Sequence, residues 1–140
     1  MERKQASTMK FTLDPKSGVP FYKQIILQIE MAIADGRLSA GSKLPTVRSL
    51  AVELQINPNT VARAYSELEI RQILATQQGT GTFVGSRKVE IPDIEREKVL
   101  SELVREFVSK LSSYGFAMRE VVSYLEELTR QEETHGAHSS

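Results

Sequence analysis

The sequence predicts a mainly α-helical protein with one small β-hairpin, followed by a separate pair of helices near the C-terminus. Apolar residues recur at helical spacing in five segments of the 140-residue chain, which is the pattern of amphipathic helices. Two short β-prone runs at 73–76 and 82–84 flank a Gly-rich stretch, which predicts a two-stranded hairpin. Because two strands alone are marginally stable, the hairpin is expected to pack on the helices.

The chain is expected to consist of two ordered parts joined by a linker. Between them the composition becomes polar, and Pro92 then opens a new helical pattern. The predicted segments are a disordered N-terminus at 1–10, a first domain at 11–86, a linker at 87–92, a two-helix region at 93–130 and a disordered tail at 131–140.

The first domain begins with three predicted helices, the first of which spans about residues 20–35. The second helix follows Thr46 as N-cap, and the third has Asn57 as N-cap and Pro58 at its first position. These are strong signals for a helix start. Only about residues 55–57 separate the two helices, which predicts a helix-turn-helix. Together with the hairpin that follows, this order predicts a winged helix-turn-helix.

The N-terminal part of the third helix carries the residues predicted to recognise DNA. In a helix-turn-helix, the second helix of the motif enters the major groove with its N-terminal residues at the bases. Here those residues are Asn59, Thr60 and Arg63, on the face opposite the apolar stripe. Arg can pair with guanine and Asn with adenine, while Thr can contact a phosphate or a thymine methyl group. Arg48, in the first turn of the preceding helix, is predicted to contact the DNA backbone.

The tip of the predicted hairpin is small, with Gly79, Thr80 and Gly81 in sequence, so its amides can approach phosphate or the minor groove. Each feature also has a plain structural explanation. Arg48 and Arg63 can be ordinary surface arginines, and the Gly-x-Gly can be only a turn. It does not lead from a strand into a helix, so it is not a dinucleotide fingerprint. The prediction of DNA binding rests on all parts appearing in one order.

The net charge of zero hides an asymmetry between the two parts of the chain. Residues 1–88 carry twelve Lys or Arg against seven Asp or Glu, whereas residues 89–140 carry six against eleven. A basic part attracts phosphates and an acidic part does not. Different partners for the two parts are one interpretation, and chance with ordinary solvated faces is the other.

The composition excludes several classes of function. There is no cysteine, which excludes disulfides, thiolate metal sites and a cysteine nucleophile. The carboxylates are scattered, and a metal site at His135 and His138 is less favoured than an unstructured tail. No catalytic residue, metal site or cofactor is therefore predicted, and the protein is not expected to be an enzyme. With no apolar run that could span a membrane and no signal-peptide pattern, the expected location is the cytoplasm.

The sequence resembles the GntR family of bacterial transcriptional regulators. The resemblance covers about residues 11–85. The short two-helix tail of this chain is similar to that of the YtrA-type subfamily. Larger relatives carry effector domains longer than this entire tail. The matching stretches are GVPFYKQI at 18–25, GRL at 36–38, LPTVRSLA at 44–51, NPNTVARAY at 57–65 and GTGTFV at 79–84.

The resemblance implies a homodimer that binds an operator in double-stranded DNA, and it suggests a repressor that controls a transporter operon. Two departures from the family pattern matter. The wing tip often carries a basic residue where this chain has Thr80, which implies less attraction to phosphate. Glycine is usual near Gln72, so either Gln72 adopts a positive φ or the turn differs. The residues that the resemblance places near DNA are Arg48, Asn59, Thr60, Arg63, Gln78 and Gly79.

The two C-terminal helices are the predicted dimer interface. An isolated pair of amphipathic helices leaves one apolar side open, and pairing two copies covers it. The helices leave little room for a drug-sized cavity, so a small-molecule effector stays unknown. The alternative function is a winged-helix module for protein–protein contacts, against which the polar triplet on the third helix argues. The predicted dimer contacts are Leu100, Leu103, Val104, Phe107, Leu111, Val121 and Leu125.

Overall fold

The computed structural model describes the backbone of residues 9–138 and the side chains of residues 9–136. Within this part, helices and strands follow one another in the predicted order, and the predicted fold class is confirmed. The chain divides into two units, Met1–Ile91 and Pro92–Ser140. In chain order the elements are α1 (Phe21–Ala34), α2 (Val47–Leu54), α3 (Pro58–Ile70), β1 (Leu74–Gln77), β2 (Gly81–Val84), α4 (Asp93–Ser113) and α5 (Met118–His138).

The starts of α2 and α3 are set by local side-chain caps. The Thr46 hydroxyl accepts a hydrogen bond from the Ser49 amide at 3.0 Å, and the Asn57 carboxamide oxygen accepts one from the Asn59 amide at 2.8 Å. Such caps satisfy amides that have no partner within the helix. Pro58 occupies the first turn of α3, where its missing N–H costs nothing. Both predicted starts are therefore confirmed.

Two glutamines take the left-handed conformation that helix ends usually give to glycine. Gln55, after α2, has φ 57°, and Gln72, after α3, has φ 62°. After α3, the Gln72 amide donates to the carbonyl of Glu69 and the Ile73 amide donates to that of Leu68, both at 2.9 Å. This is the Schellman arrangement that closes many helices. Of the two alternatives for Gln72, the positive φ is the one that the structure adopts.

The core of the first unit lies where α1 and α2 pack against α3. Ile25 and Ile29 of α1, Leu50 of α2, and Val61 and Leu68 of α3 are fully buried. They belong to the apolar stripes that the sequence indicates, and burying each such side chain stabilises the fold by about 1.5–3 kcal/mol. The opposite face of α3 is left free for polar side chains.

The hairpin is attached to the helices through a third extended segment. β1 and β2 are antiparallel, with Leu74 opposite Val84 and Gln77 opposite Gly81. The Leu44 amide donates to the Thr82 carbonyl at 2.9 Å, and the Val84 amide donates to the Ser42 carbonyl at 2.8 Å. This pairing adds the segment at 42–44, which precedes α2, to the outer edge of β2. These backbone hydrogen bonds join residues far apart in the chain, so no local sequence pattern predicts them.

The segment before α1 is held against the first unit rather than frayed at its end. Phe11 is buried, and Met9 packs against the core. Gln28 of α1 accepts from the Thr12 amide at 3.0 Å and donates to the Thr12 carbonyl at 2.7 Å. The predicted disorder of 1–10 is therefore wrong for Met9 and Lys10, because Phe11 anchors them; residues 1–8 lie outside the described part.

The predicted linker at 87–92 is largely part of the first unit. The Arg87 guanidinium donates to the Arg71 carbonyl at 3.1 Å, and Val89 packs against the core. The break between the units falls only after Ile91, and α4 follows with Pro92 as its N-cap.

The second unit contains α4 and α5, which are joined by a short turn at Gly115. Gly115 has φ 83°, and the Phe116 amide donates to the Leu111 carbonyl at 3.2 Å to close α4. The sequence offers no Ser or Asp cap at the start of α5, and a side chain of the helix itself accepts the hydrogen bond of the free amide there. The Glu120 carboxylate accepts from the Ala117 amide at 2.9 Å, which is one half of a capping box.

The helix α5 continues to His138, so the predicted disordered tail is wrong for residues 131–138; residues 139–140 lie outside the described part. Arg130 pairs with Glu127 at 2.6 Å, and the Thr134 hydroxyl donates to the Arg130 carbonyl at 3.0 Å. Glu, Gln and Arg are also good helix formers. No described helix is long and apolar enough to cross a membrane.

Candidate nucleic-acid interface

The N-terminal turns of α3 present the polar face that the sequence analysis singled out. Asn59 and Arg63 are exposed, and Thr60 is half-buried between them and the core. The opposite side of the helix is fixed by the buried Val61 and Tyr65. The orientation of the polar face is therefore set by packing, and these three side chains lie within about one helical turn of each other.

Arg63 is held in place by an aromatic side chain of α1. Its guanidinium carbon lies 3.8 Å from the centre of the Tyr22 ring, a cation–π contact of the kind that contributes about 0.5–1 kcal/mol at exposed sites. Stacking occupies a face of the planar guanidinium and leaves its N–H edge available for hydrogen bonds. Tyr22 is not among the residues that the sequence predicts for DNA binding. A contact between separate helices has no signal in local spacing.

The start of α2 is fastened to α3 by the hydroxyl of Tyr65. This hydroxyl donates to the carbonyl of Pro45 at 2.8 Å, next to the N-cap Thr46. Burial, with a smaller contribution from the charge of Glu53, raises the pKa of Tyr65 well above its usual value. The hydroxyl therefore stays protonated and remains a donor. Arg48, which is exposed in the first turn of α2, is thus placed at a fixed distance from the polar face of α3.

The hairpin tip contains three exposed residues, Gln78, Gly79 and Thr80. The Thr80 amide donates to the Gln77 carbonyl at 2.9 Å, and Gly79 has φ 79°. A side chain at Gly79 would meet open space, so the glycine serves the backbone conformation. No charged residue occurs between Arg71 and Arg87. The tip therefore offers amides and small polar groups but no cation of its own.

The apolar side chains of α4 and α5 are exposed to an unusual extent. Leu100, Leu103, Val104 and Phe107 are between 47% and 61% exposed, and no residue of α4 is buried. Leu111 and Val121, near the turn between the helices, are half-buried. Further exposed apolar residues that the sequence analysis did not include are Tyr114, Phe116, Met118, Val122, Tyr124 and Leu128.

Open grooves accompany these apolar faces in the described residues of the second unit. One of about 550 Å³ follows α4 beside Val104 and Val108, and one of about 500 Å³ follows α5 beside Val122 and Leu125. A smaller cleft of about 110 Å³ lies at the turn between the helices, which is below the usual size of a small-molecule site. In the described part of the chain, no cluster of three or more His, Cys, Asp or Glu side chains could hold a metal ion.

Three helices, a capped helix-turn-helix and a wing with a free polar helix face define a winged-helix DNA-binding domain. Residues 21–84 match the bacterial regulatory proteins of the gntR family. The chain is 36% identical to the uncharacterized HTH-type transcriptional regulator YhcF of Bacillus subtilis over 114 residues, which cover 81% of this chain and 93% of YhcF. The chain belongs to the GntR family of transcriptional regulators.

The relatives also identify the subfamily. The HTH-type transcriptional repressor YtrA of Bacillus subtilis is 31% identical over 117 residues, covering 84% of this chain and 90% of that protein. The solved structure of YtrA from Sulfolobus acidocaldarius, a GntR-family transcription factor, superposes with a TM-score of 0.52 at 33% identity, covering 70% of this chain and 97% of that one. The chain is therefore of the YtrA type, as the sequence analysis indicated.

Tyr22 is expected to affect DNA binding through Arg63. Tyr22→Leu removes the ring face and should weaken binding to a duplex selected by the wild-type protein by roughly 2- to 5-fold, since the contact contributes about 0.5–1 kcal/mol. Tyr22→Phe keeps the ring and should bind like the wild type. Fluorescence anisotropy titrations measure both affinities.

A double-mutant cycle separates this role from a general loss of packing. In an Arg63→Ala background, Tyr22→Leu should cause no further loss of affinity. An equal loss in both backgrounds would show that Tyr22 acts independently of Arg63.

Proposed function

We propose that the protein is a homodimeric transcription repressor that binds a near-palindromic operator in double-stranded DNA. The observation that carries the proposal is the free polar face of α3, with Asn59, Thr60 and Arg63 exposed or half-buried over a buried core. These residues would read bases in the major groove, as the second helix of such a motif does. Bound over a promoter, the dimer would exclude polymerase from the cytoplasmic DNA.

The other candidate residues would contact the backbone. Arg48 is exposed next to the capped start of α2, where helix amides also favour a phosphate. At the wing, Gln78, Gly79 and Thr80 would contribute uncharged contacts. Backbone contacts supply affinity without sequence preference, whereas contacts to base edges supply preference. Removing a backbone contact should therefore lower the affinity for every sequence, whereas removing a base contact should change the sequence preference.

The exposed apolar stripes of α4 and α5 support a dimer of this chain. Water exposure of this many large apolar side chains is unfavourable, and a second copy offers a stripe of the same chemistry. None of the residues proposed as contacts belongs to the buried core of the first unit. They are Leu100, Leu103, Val104, Phe107, Leu111, Val121 and Leu125. A target in a transporter operon follows only from the likeness to YtrA-type regulators.

Arg63 and Arg48 should give different specificity profiles. Arg63→Ala should cost about 1–3 kcal/mol at one base position and flatten the preference there. Arg48→Ala should weaken all sequences alike and lower the salt dependence of binding by about one ion. In vitro selection from a random duplex pool, followed by base-by-base titration, measures both.

Two outcomes would contradict these assignments. Identical base-by-base profiles for the two variants would contradict the assignment of Arg63 to a base and of Arg48 to the DNA backbone. No sequence-selective, salt-sensitive binding by the wild-type protein, either in the selection or on its own upstream region, would favour the protein-contact module instead.

The dimer contacts are tested on α4. Leu103→Asp together with Phe107→Asp places charge in the apolar stripe and should convert the protein to monomers, because burying the carboxylates is costly. Sedimentation equilibrium measures the mass, and circular dichroism checks that the helices persist.

The matched control places two aspartates on the opposite face of the same helix, as Lys98→Asp with Ser109→Asp. That variant should remain dimeric. A dimer that survives the changes at 103 and 107, or that is lost equally in the control, would refute this interface.

A further inference from the structure

The wing of this domain lacks a cation in its own sequence, yet a lysine from another segment lies across it. Lys43 forms a bridge with Phe83 of β2, so the two residues lie opposite each other on adjacent extended segments. The neighbouring Ser42 and Leu44 both form backbone hydrogen bonds with β2. Lys43 therefore belongs structurally to the edge of the wing, although it precedes α2 in the chain.

The position of Lys43 depends on Gly81 at the base of the hairpin tip. A Cβ atom built at Gly81 would lie 2.9 Å from Cε and 3.7 Å from Nζ of Lys43, which shows how closely the lysine passes over this glycine. Gly81 also has φ 136°, a conformation that favours glycine. The absence of a side chain at 81 thus leaves the space through which Lys43 extends towards the tip.

The charge of Lys43 is available for a partner. None of the ion pairs found in the described residues includes it. The Glu69 carboxylate, near the end of α3, accepts a hydrogen bond from the Thr76 hydroxyl of β1. Lys43 is half-buried as a residue, and a lysine at such a position can pack its stem while its ammonium group stays hydrated.

We propose that Lys43 supplies the phosphate-contacting cation of the wing, reaching the hairpin tip over Gly81. Thr80 stands where a basic residue is often found at the tip. The positive charge of the wing then comes from Lys43, in the segment before α2. The proposal rests on the DNA-binding function proposed above. It assigns Lys43 to the phosphate backbone, so Lys43 should raise affinity for every sequence equally.

The test compares Lys43→Met, which keeps the apolar stem, with Lys43→Arg, which keeps the charge. Each variant is titrated onto a synthetic duplex carrying the site that the wild-type protein selects, and onto a scrambled duplex, over a range of salt concentrations. One lost phosphate contact should lower the magnitude of the slope of log K against log salt by about 0.9. The ratio of variant to wild-type Kd should therefore fall about 3.5-fold between about 50 and about 200 mM salt. Lys43→Arg should keep the wild-type slope.

Lys98→Met is the matched control, because it removes one exposed lysine from α4 in the other unit. Its slope should equal that of the wild type. A wild-type slope for Lys43→Met, or an equal change in Lys98→Met, would overturn the role of Lys43 and leave the proposed function standing. A wild-type protein without salt-sensitive DNA binding would instead overturn the proposed function, and the role of Lys43 with it.

Discussion

The hydrogen bond from the Tyr65 hydroxyl to the Pro45 carbonyl is the contact on which the DNA-binding surface depends. Tyr65 lies in the centre of α3 with its ring in the core, and Pro45 stands directly before the capped start of α2. Losing the bond would leave a part-buried carbonyl unpaired, at a cost of about 1–3 kcal/mol. Through it, α3 positions both the polar face that carries Arg63 and the helix start that carries Arg48.

Local chemistry made much of this structure predictable, whereas contacts between distant segments did not. Caps and turns act within a few residues, so Thr46 and Asn57 marked their helices, and the expected alternatives for Gln72 included the one observed. The stacking of Arg63 on Tyr22, 41 positions earlier in the chain, and the pairing of the segment at 42–44 with β2 arise only when the helices pack. The length of α5 was missed for a different reason, because a polar stretch with good helix formers resembles a solvated tail.

The two units carry opposite charge and different surfaces. The first unit is basic and has a buried apolar core, with polar side chains on the free face of α3. The second is acidic and leaves its apolar stripes exposed. An acidic unit is repelled by phosphate, which argues against DNA contacts by α4 and α5. Under the proposed function, affinity for DNA and self-association are therefore separate properties of one short chain.

The most direct measurement is a hydroxyl-radical footprint of the wild-type protein on the duplex that it selects. Two copies of α3 held by one dimer should protect two inverted half-sites whose centres lie about one helical turn, roughly 34 Å, or a multiple of it apart. Both blocks should appear together over the same range of protein concentration. A single protected block, or protection spread evenly along the duplex, would contradict the account.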